Sequence, residues 1–360
     1  MKQSKKAKLI LGIDTSCDDT SAAIVDGRFV LSNVVSSQIE LHREFGGVVP
    51  MIAKREHQER ILPVISKAFK VASRQSGKLI TWDDIDAIAV TYGPGLAIAL
   101  EVGLVTAKDL CQKYDKKLVA VNHMEGHLWS SLAANSRGKG GINFDKVEFP
   151  ALGILISGGH TEFVLIEAFG KYRVVGETLD DAMGEAFDKV ARMIGLGYPG
   201  GAVLSEMAKN GNSNAYKLPV PLKYEKTNNM SYSGLKTAVY YLVNGIKKES
   251  PNLTKQQILD LAASFEKAAI EELNVKFERV LKEFPVKMIF IGGGVSSSKK
   301  VRATIRKTAQ NLRLKCFFPL LKHLNMDNGA MIAIAGHLKS LRGEYSETTI
   351  DRDPRASIAG

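Results

Sequence analysis

Two histidines four residues apart, His123 and His127 in the run Val121-Asn-His-Met-Glu-Gly-His-Leu128, carry the strongest chemical signal in this chain of 360 residues. Side chains at i and i+4 lie on one face of a helix, so both imidazoles can reach one ion, and neutral imidazole suits a borderline divalent metal. Asp327 follows the short apolar run Cys316-Phe-Phe-Pro319 and precedes a helix of small residues from Gly329 to Gly336. It could cap that helix or add a hard oxygen ligand. A zinc protease is disfavoured by geometry, because that motif sets its glutamate directly after the first histidine. Here Glu125 comes second and, at about 100° per residue, points away from the ion. An isolated pair of this spacing can equally be two polar residues on one helix face, so its meaning depends on the rest of the chain.

A second group of residues suits phosphate. Ser157, Gly158 and Gly159, before His160 and Thr161, offer amides without side chains beside a hydroxyl. A tight hairpin turn would look the same. Gly292, Gly293 and Gly294 before a helix add amides that can point at an anion, whereas Gly93-Pro94-Gly95 reads as a strand terminator. Of the acids in Gly176 to Arg192, Asp180 and Asp181 are explained by a helix start. Asp188, late in that helix, could meet ribose hydroxyls, and Tyr198-Pro199-Gly200-Gly201 lets backbone come close to a ligand.

The elements that must hold these residues repeat. Leu9 to Val25 reads as strand, polar turn and strand, and Ala151 to Ile166 repeats it. Asp86 to Leu96 and Lys287 to Val295 are buried-type strands running into glycine-rich turns that open helices. The expectation is a duplicated α/β chain of the actin/hexokinase/Hsp70-like (ASKHA) class with a ligand in the cleft between halves. We divide it into residues 1–125 and 126–360, the second half carrying a helical insertion around 186–264, with the polar loop up to Glu148 at the join.

The net charge of +11 and pI near 9.3 point to an anionic macromolecule, nucleic acid first. The cations concentrate at Lys2 to Lys8, Lys299 to Lys307 and Arg313 to Lys322. Three cysteines, none in a CxxC pair, argue for a reducing cytoplasm. No apolar run is long enough to span a bilayer.

In chain order, GIDTSCDDT at residues 12–20, FGGVVP at 45–50, NHMEGHL at 122–128, SGGHT at 157–161, GETLDDAMGEAFDKVAR at 176–192, YPGG at 198–201, SYSGLKTA at 231–238 and MDNGAMIA at 326–333 resemble the tRNA N6-threonylcarbamoyladenosine transferase (TsaD) family, in its bacterial branch. The resemblance implies transfer of threonylcarbamoyl from threonylcarbamoyl-adenylate to N6 of adenosine 37 in tRNAs that read ANN codons, with AMP leaving. It implies one divalent metal on His123, His127 and Asp327, iron before zinc or magnesium. Leu155, Ile156, Ser157, Gly158, Gly159, Asp188 and Gly201 would then line the adenylate site. Implied partners are tRNA, a non-catalytic paralogue (TsaB-like) and a P-loop ATPase (TsaE-like). Asp14, ending the first strand toward the cleft, is the candidate to assist loss of the amine proton, with Asp19 as the alternative.

The chain departs from the family in places. Asp14 and Asp19 stand where the family has glutamates, Lys54 where it has serine, and Ala97 to Leu100 follow GPGL where a small residue is usual. Ser298 replaces the asparagine that contacts the nucleotide, and a hydroxyl supplies one of its hydrogen bonds but not both. Two other functions compete: a non-catalytic scaffold on the same fold, for which three converging ligands have no use, and a small-molecule kinase, for which the histidine pair has none.

Overall fold

A computed structural model describes residues 9–320 and 322–360. The basic residues Lys2 to Lys8 noted above therefore lie outside the described residues. The chain forms two units, one of residues 1–147, 168–171 and 317–360, the other of residues 148–167 and 172–316.

In the first unit, β1 (Leu9–Asp14), β2 (Asp19–Asp26) and β3 (Phe29–Ser37) form an antiparallel meander, in which Asp14 sits opposite Ser21. Helices α1 (Ile39–Arg43) and α2 (Pro50–Ser76) lead to β4 (Ile85–Gly93), which runs parallel to β1. There follow α3 (Ala97–Tyr114), β5 (Lys117–Asn122), α4 (His123–Trp129) and the two-residue β6 (Ala134–Asn135), giving the sheet order β5-β4-β1-β2-β3-β6.

β1 is buried along its whole length, as expected of a strand covered on both faces. Leu9, Leu11 and Ile13 join a core with Ile61, Ile65 and Ala68 of α2 and Leu104 and Ala107 of α3. Because side chains alternate, Ile10, Gly12 and Asp14 face the other way.

The second unit repeats the plan. β7 (Ala151–Ile156) pairs antiparallel with β8 (Thr161–Ala168), β9 (Lys171–Glu177) follows, and the helices α5 (Met183–Met193), α6 (Gly201–Met207), α7 (Ser233–Glu249) and α8 (Lys255–Glu283) intervene. Then β10 (Met288–Gly292) lies parallel to β7, α9 (Lys299–Asn311) crosses back, and β11 (Lys315–Phe317) completes the order β11-β10-β7-β8-β9. The two hairpins and two glycine-ended parallel strands read from the sequence are thus all present. The polar stretch between α6 and α7 is pinned to α8. Buried Lys276 donates to the carbonyls of Leu222, Glu225 and Thr227 at 2.6, 3.2 and 2.9 Å, and Asp260 accepts the Asn212 amide at 2.7 Å. These bonds satisfy three carbonyls and an amide that no helix or strand would.

The chain then returns to the first unit as α10 (Gly329–Leu341), which covers the second face of β1. Its small residues explain how close it lies. A Cβ on Gly12 would stand 2.3 Å from the Gly329 carbonyl oxygen, and one on Gly336 2.4 Å from Ala89 Cβ. Among the described residues no helix is long and apolar enough to cross a membrane.

Candidate metal and phosphate sites

The histidine pair sits on α4, a seven-residue helix with every residue buried. Asn122 starts it: its Oδ1 accepts the amides of Met124 and Glu125 at 2.8 and 3.4 Å. The helix is pressed onto α10 at Gly126, where a Cβ would lie 2.8 Å from Ile332 Cδ1. That crossing sets both histidines over the start of α10. The N-cap there is Asn328, whose Oδ1 accepts the Met331 amide at 3.1 Å. Capping, the simpler of the two roles open to Asp327 in the sequence, therefore belongs to its neighbour.

Asp327 instead meets the histidines. Its Oδ1 is 3.4 Å from His123 Nε2 and 3.1 Å from His127 Nε2, and the three ligand atoms lie within 4.8 Å of one another. Neither ring nitrogen of buried His127 has a partner in hydrogen-bond geometry. Buried nitrogens so arranged cost stability unless something satisfies them, and a divalent cation would do so for one nitrogen of each histidine and the aspartate at once.

Charge argues the same way. Burial opposes an imidazolium at His123, but Asp327 and Asp14 outweigh it and raise its pKa to about 10. Burial alone would raise Asp327, yet the two histidines hold it well below the usual carboxylate range. The cluster requires positive charge, which a metal can supply in place of a proton.

Asp14 is fully buried, with Oδ1 3.4 Å from His123 Nδ1 and 2.6 Å from the Thr91 hydroxyl that donates to it; Ser16 donates to Oδ2 at 3.2 Å. A carboxylate behind the second nitrogen of a ligand histidine orients the ring. Asp14 thus stands behind His123, although Nδ1 is not in hydrogen-bond geometry with it. Asp19, at the start of β2, has a buried Oδ1 without a partner. Burial raises its carboxyl to about 7, helped by Asp18, Asp327 and Asp14 and opposed by a hydrogen bond to Ser37.

In the second unit, Ser157 to His160 form the β7–β8 turn. The Ser157 amide donates to the His160 carbonyl at 2.8 Å, and the His160 amide donates to Ser157 Oγ at 3.1 Å. Leu155 and Ile156 are wholly buried, so only their backbone could face a ligand. Gly158 and Gly159 are exposed, and a Cβ on either would touch nothing within 4 Å. Neither has the positive φ that demands glycine. The fold does not need these glycines, whereas a phosphate laid against their amides would. Gly184 and Gly293 do have structural reasons, since Cβ atoms there would meet the Ser157 and Ile156 carbonyl oxygens at 2.5 and 2.4 Å.

Two expected nucleotide contacts carry structural duties. Asp188 Oδ1 accepts the amides of Gly200 and Gly201 at 3.0 and 2.7 Å, fixing the start of α6. Ser298 caps α9, its Oγ accepting the Val301 amide at 3.4 Å.

Asp180 does not serve its own helix: it accepts the amides of Tyr232 and Ser233 at 2.8 and 3.1 Å and the hydroxyls of Ser231 and Ser233, both at 2.6 Å, locking the start of α7. Asp181 pairs with Lys189 and Lys236. The sequence reading missed Asn122, although an asparagine directly before a helical pattern is an N-cap signal. It also missed Thr91, for which one sequence holds no signal.

Known proteins resemble this chain over most of its length. The family described as TsaD, tRNA N6-adenosine threonylcarbamoyltransferase, matches residues 29–334. The tRNA N6-adenosine threonylcarbamoyltransferase of Clostridium perfringens is 43% identical over 352 residues, covering 98% of each chain. That of Bacillus subtilis is 43% identical over 348 residues, covering 95% of this chain and 94% of its own. Among solved structures, HypF of T. kodakarensis shares the fold, with a TM-score of 0.58 at 15% identity over 94% of this chain and 48% of that one. The architecture is the actin/hexokinase-like α/β fold, and the chain belongs to the tRNA N6-adenosine threonylcarbamoyltransferase family.

Proposed function

We propose that the protein transfers the threonylcarbamoyl group of threonylcarbamoyl-adenylate to N6 of adenosine 37 in tRNAs that read ANN codons, releasing AMP. The observation that carries this is the convergence of His123, His127 and Asp327 in a chain whose relatives of that name match it almost end to end. These three would hold one divalent metal, iron first, which supplies a Lewis acid for an oxygen of the acyl phosphate. Asp14, 3.4 Å from Nδ1, would help to orient the His123 ring.

The carbonyl carbon is already activated as a mixed anhydride, so the protein has to orient the amine and stabilise the departing phosphate. The N6 nitrogen forms a bond to that carbon, the bond from carbon to the AMP oxygen breaks, and the amine gives up one proton. Asp19, with a pKa near neutrality, is the group suited to take that proton. The exposed amides of Gly158 and Gly159 receive the adenylate phosphate, with Ser157 beside them. The implied setting is the cytoplasm, with a TsaB-like paralogue and a TsaE-like P-loop ATPase as partners.

The test is transfer of labelled threonylcarbamoyl from synthase-made adenylate to an unmodified ANN-decoding tRNA, with both partners present. Wild-type protein should acylate the tRNA and His123→Ala/His127→Ala should not. Wild-type protein that binds metal and adenylate yet transfers nothing would leave a scaffold. Phosphoryl transfer from ATP to a small molecule would make it a kinase.

A further inference from the structure

We propose that the outward side of α9, with the turn and strand that follow, is the surface that grips the phosphate backbone of the tRNA; this rests on tRNA being the acceptor, as above. Residues 284–326 hold nine lysines and arginines and no aspartate or glutamate, against a net charge of +11 for the whole chain. The fold gathers much of this stretch into one substructure, the β10-α9-β11 crossover. Val301, Ile305, Thr308 and Ala309 bury one side of α9, leaving Lys299, Lys300, Arg306 and Lys307 exposed on the other. Arg313 and Lys315 continue the exposed series past the helix end.

Several of these cations sit where they harm stability. Lys299 and Lys300 occupy the first turn of α9, which has no acid, although the helix dipole there favours negative charge by about 0.3–1 kcal/mol per residue. Lys300 has one compensation, Glu266 at 3.4 Å. Arg313 has φ 58° in the turn closing α9, a left-handed position where glycine or asparagine is usual and another residue costs about 1 kcal/mol. No ion pair is seen for Lys307, Arg313 or Lys315 among the described residues. A merely solvated face would not need cations at strained and dipole-opposed positions. A polyanion would repay them.

The spacing suits a strand of phosphates better than a single anion. Lys307 lies seven positions after Lys300, about 10 Å along the axis, and Arg313 extends the row past the helix end. RNA presents phosphates along such a line, each contact releasing counterions.

The experiment uses the full chain and a labelled unmodified tRNA transcript, with binding followed by anisotropy across a range of KCl. In Lys307→Glu/Arg313→Glu/Lys315→Glu the plot of log K against log salt should flatten by about 2 to 3, with affinity down roughly 10- to 100-fold near 0.1 M salt. Lys307→Gln/Arg313→Gln/Lys315→Gln should flatten it similarly, showing lost cations rather than added repulsion. Lys67→Glu/Lys70→Glu/Arg74→Glu, exposed on α2, makes the same change of net charge and should keep the wild-type slope. An unchanged slope in the α9 triples, or equal loss in the α2 triple, overturns the surface. Wild-type protein that acylates tRNA while the α9 triple keeps its slope would sink the surface alone. Steep binding by wild type without acylation, with the slope lost in the α9 triple, would sink only the transfer reading.

Discussion

Asn122 joins α4, the helix that carries His123 and His127, to the end of the chain, and cutting that joint should loosen both. Its Oδ1 caps α4 through Met124 and Glu125, and its Nδ2 donates to the carbonyls of Ala356 and Ser357 at 3.3 and 3.0 Å. The same tail is tied down by the Asp353 amide donating to Tyr92 and the Gly95 amide donating to Pro354. It lies so close that a Cβ on Gly93 would overlap the Asp353 carbonyl. Asn122→Ala removes the cap, about 1 kcal/mol, and two hydrogen bonds in a buried setting, about 0.5–1.5 kcal/mol each. The expected loss is about 2–4 kcal/mol. Asn122→Ser keeps a capping oxygen and loses only the tail contacts, so it should recover about 1 kcal/mol of that. Urea unfolding of the three proteins in chelator measures the losses, and calorimetric titration with a divalent metal should show weaker binding in the alanine variant. If both variants lie within about 0.5 kcal/mol of wild type, the level of an ordinary surface change, the joint has no energetic role and the reasoning fails.

Gly158→Ala should leave the melting temperature unchanged or slightly raised, because the position is open and its φ is ordinary, while weakening adenylate binding by about tenfold or more through loss of close approach. Ser298→Ala should cost about 1 kcal/mol for the α9 cap; Ser298→Asn should keep that stability, and a comparison of adenylate affinity then reads the lost carboxamide directly. Glu162, raised to about 7 first by burial and then by Glu177, has a buried Oε2 without a partner. The folded state therefore holds that proton longer than the unfolded chain, and stability falls as pH rises from the ordinary glutamate range to about 7. Glu162→Gln should stabilise the protein at pH 8 by at most about 3 kcal/mol, less after solvent screening, and not at all near pH 4. Equal gains at both pH values in urea melts would refute that assignment.

The hairpins, the parallel strands and the histidine pair were legible because each rests on local signals: apolar alternation, glycine after a buried run, and histidines at helical spacing. Partnerships between segments distant in sequence were not. Whether Asp327 or Asn328 would cap α10 cannot be decided from two adjacent capping residues, and it is the crossing of α4 over α10 at Gly126 that frees the aspartate. Asp14 is identifiable as the charged end of a strand, but its nearness to His123 depends on α10 and α4 both lying on the Asp14 side of β1, a tertiary fact. Asp188 illustrates the reverse: an acid late in a helix invites a ligand, yet the fold brings two glycine amides to it.

The duplication also explains why the two units offer different chemistry from one plan. β1 and β7 hold the same place in sheets of matching order, each with an antiparallel partner on one side and a parallel strand on the other. The first ends in Asp14, a buried carboxylate beside His123, and its unit assembles histidines and a second carboxylate around it. The second ends in Ile156 and passes to Ser157, Gly158 and Gly159, where the backbone itself is what a ligand can touch. The cluster of histidines and carboxylates suits a cation in one unit, and bare amides suit an anion in the other.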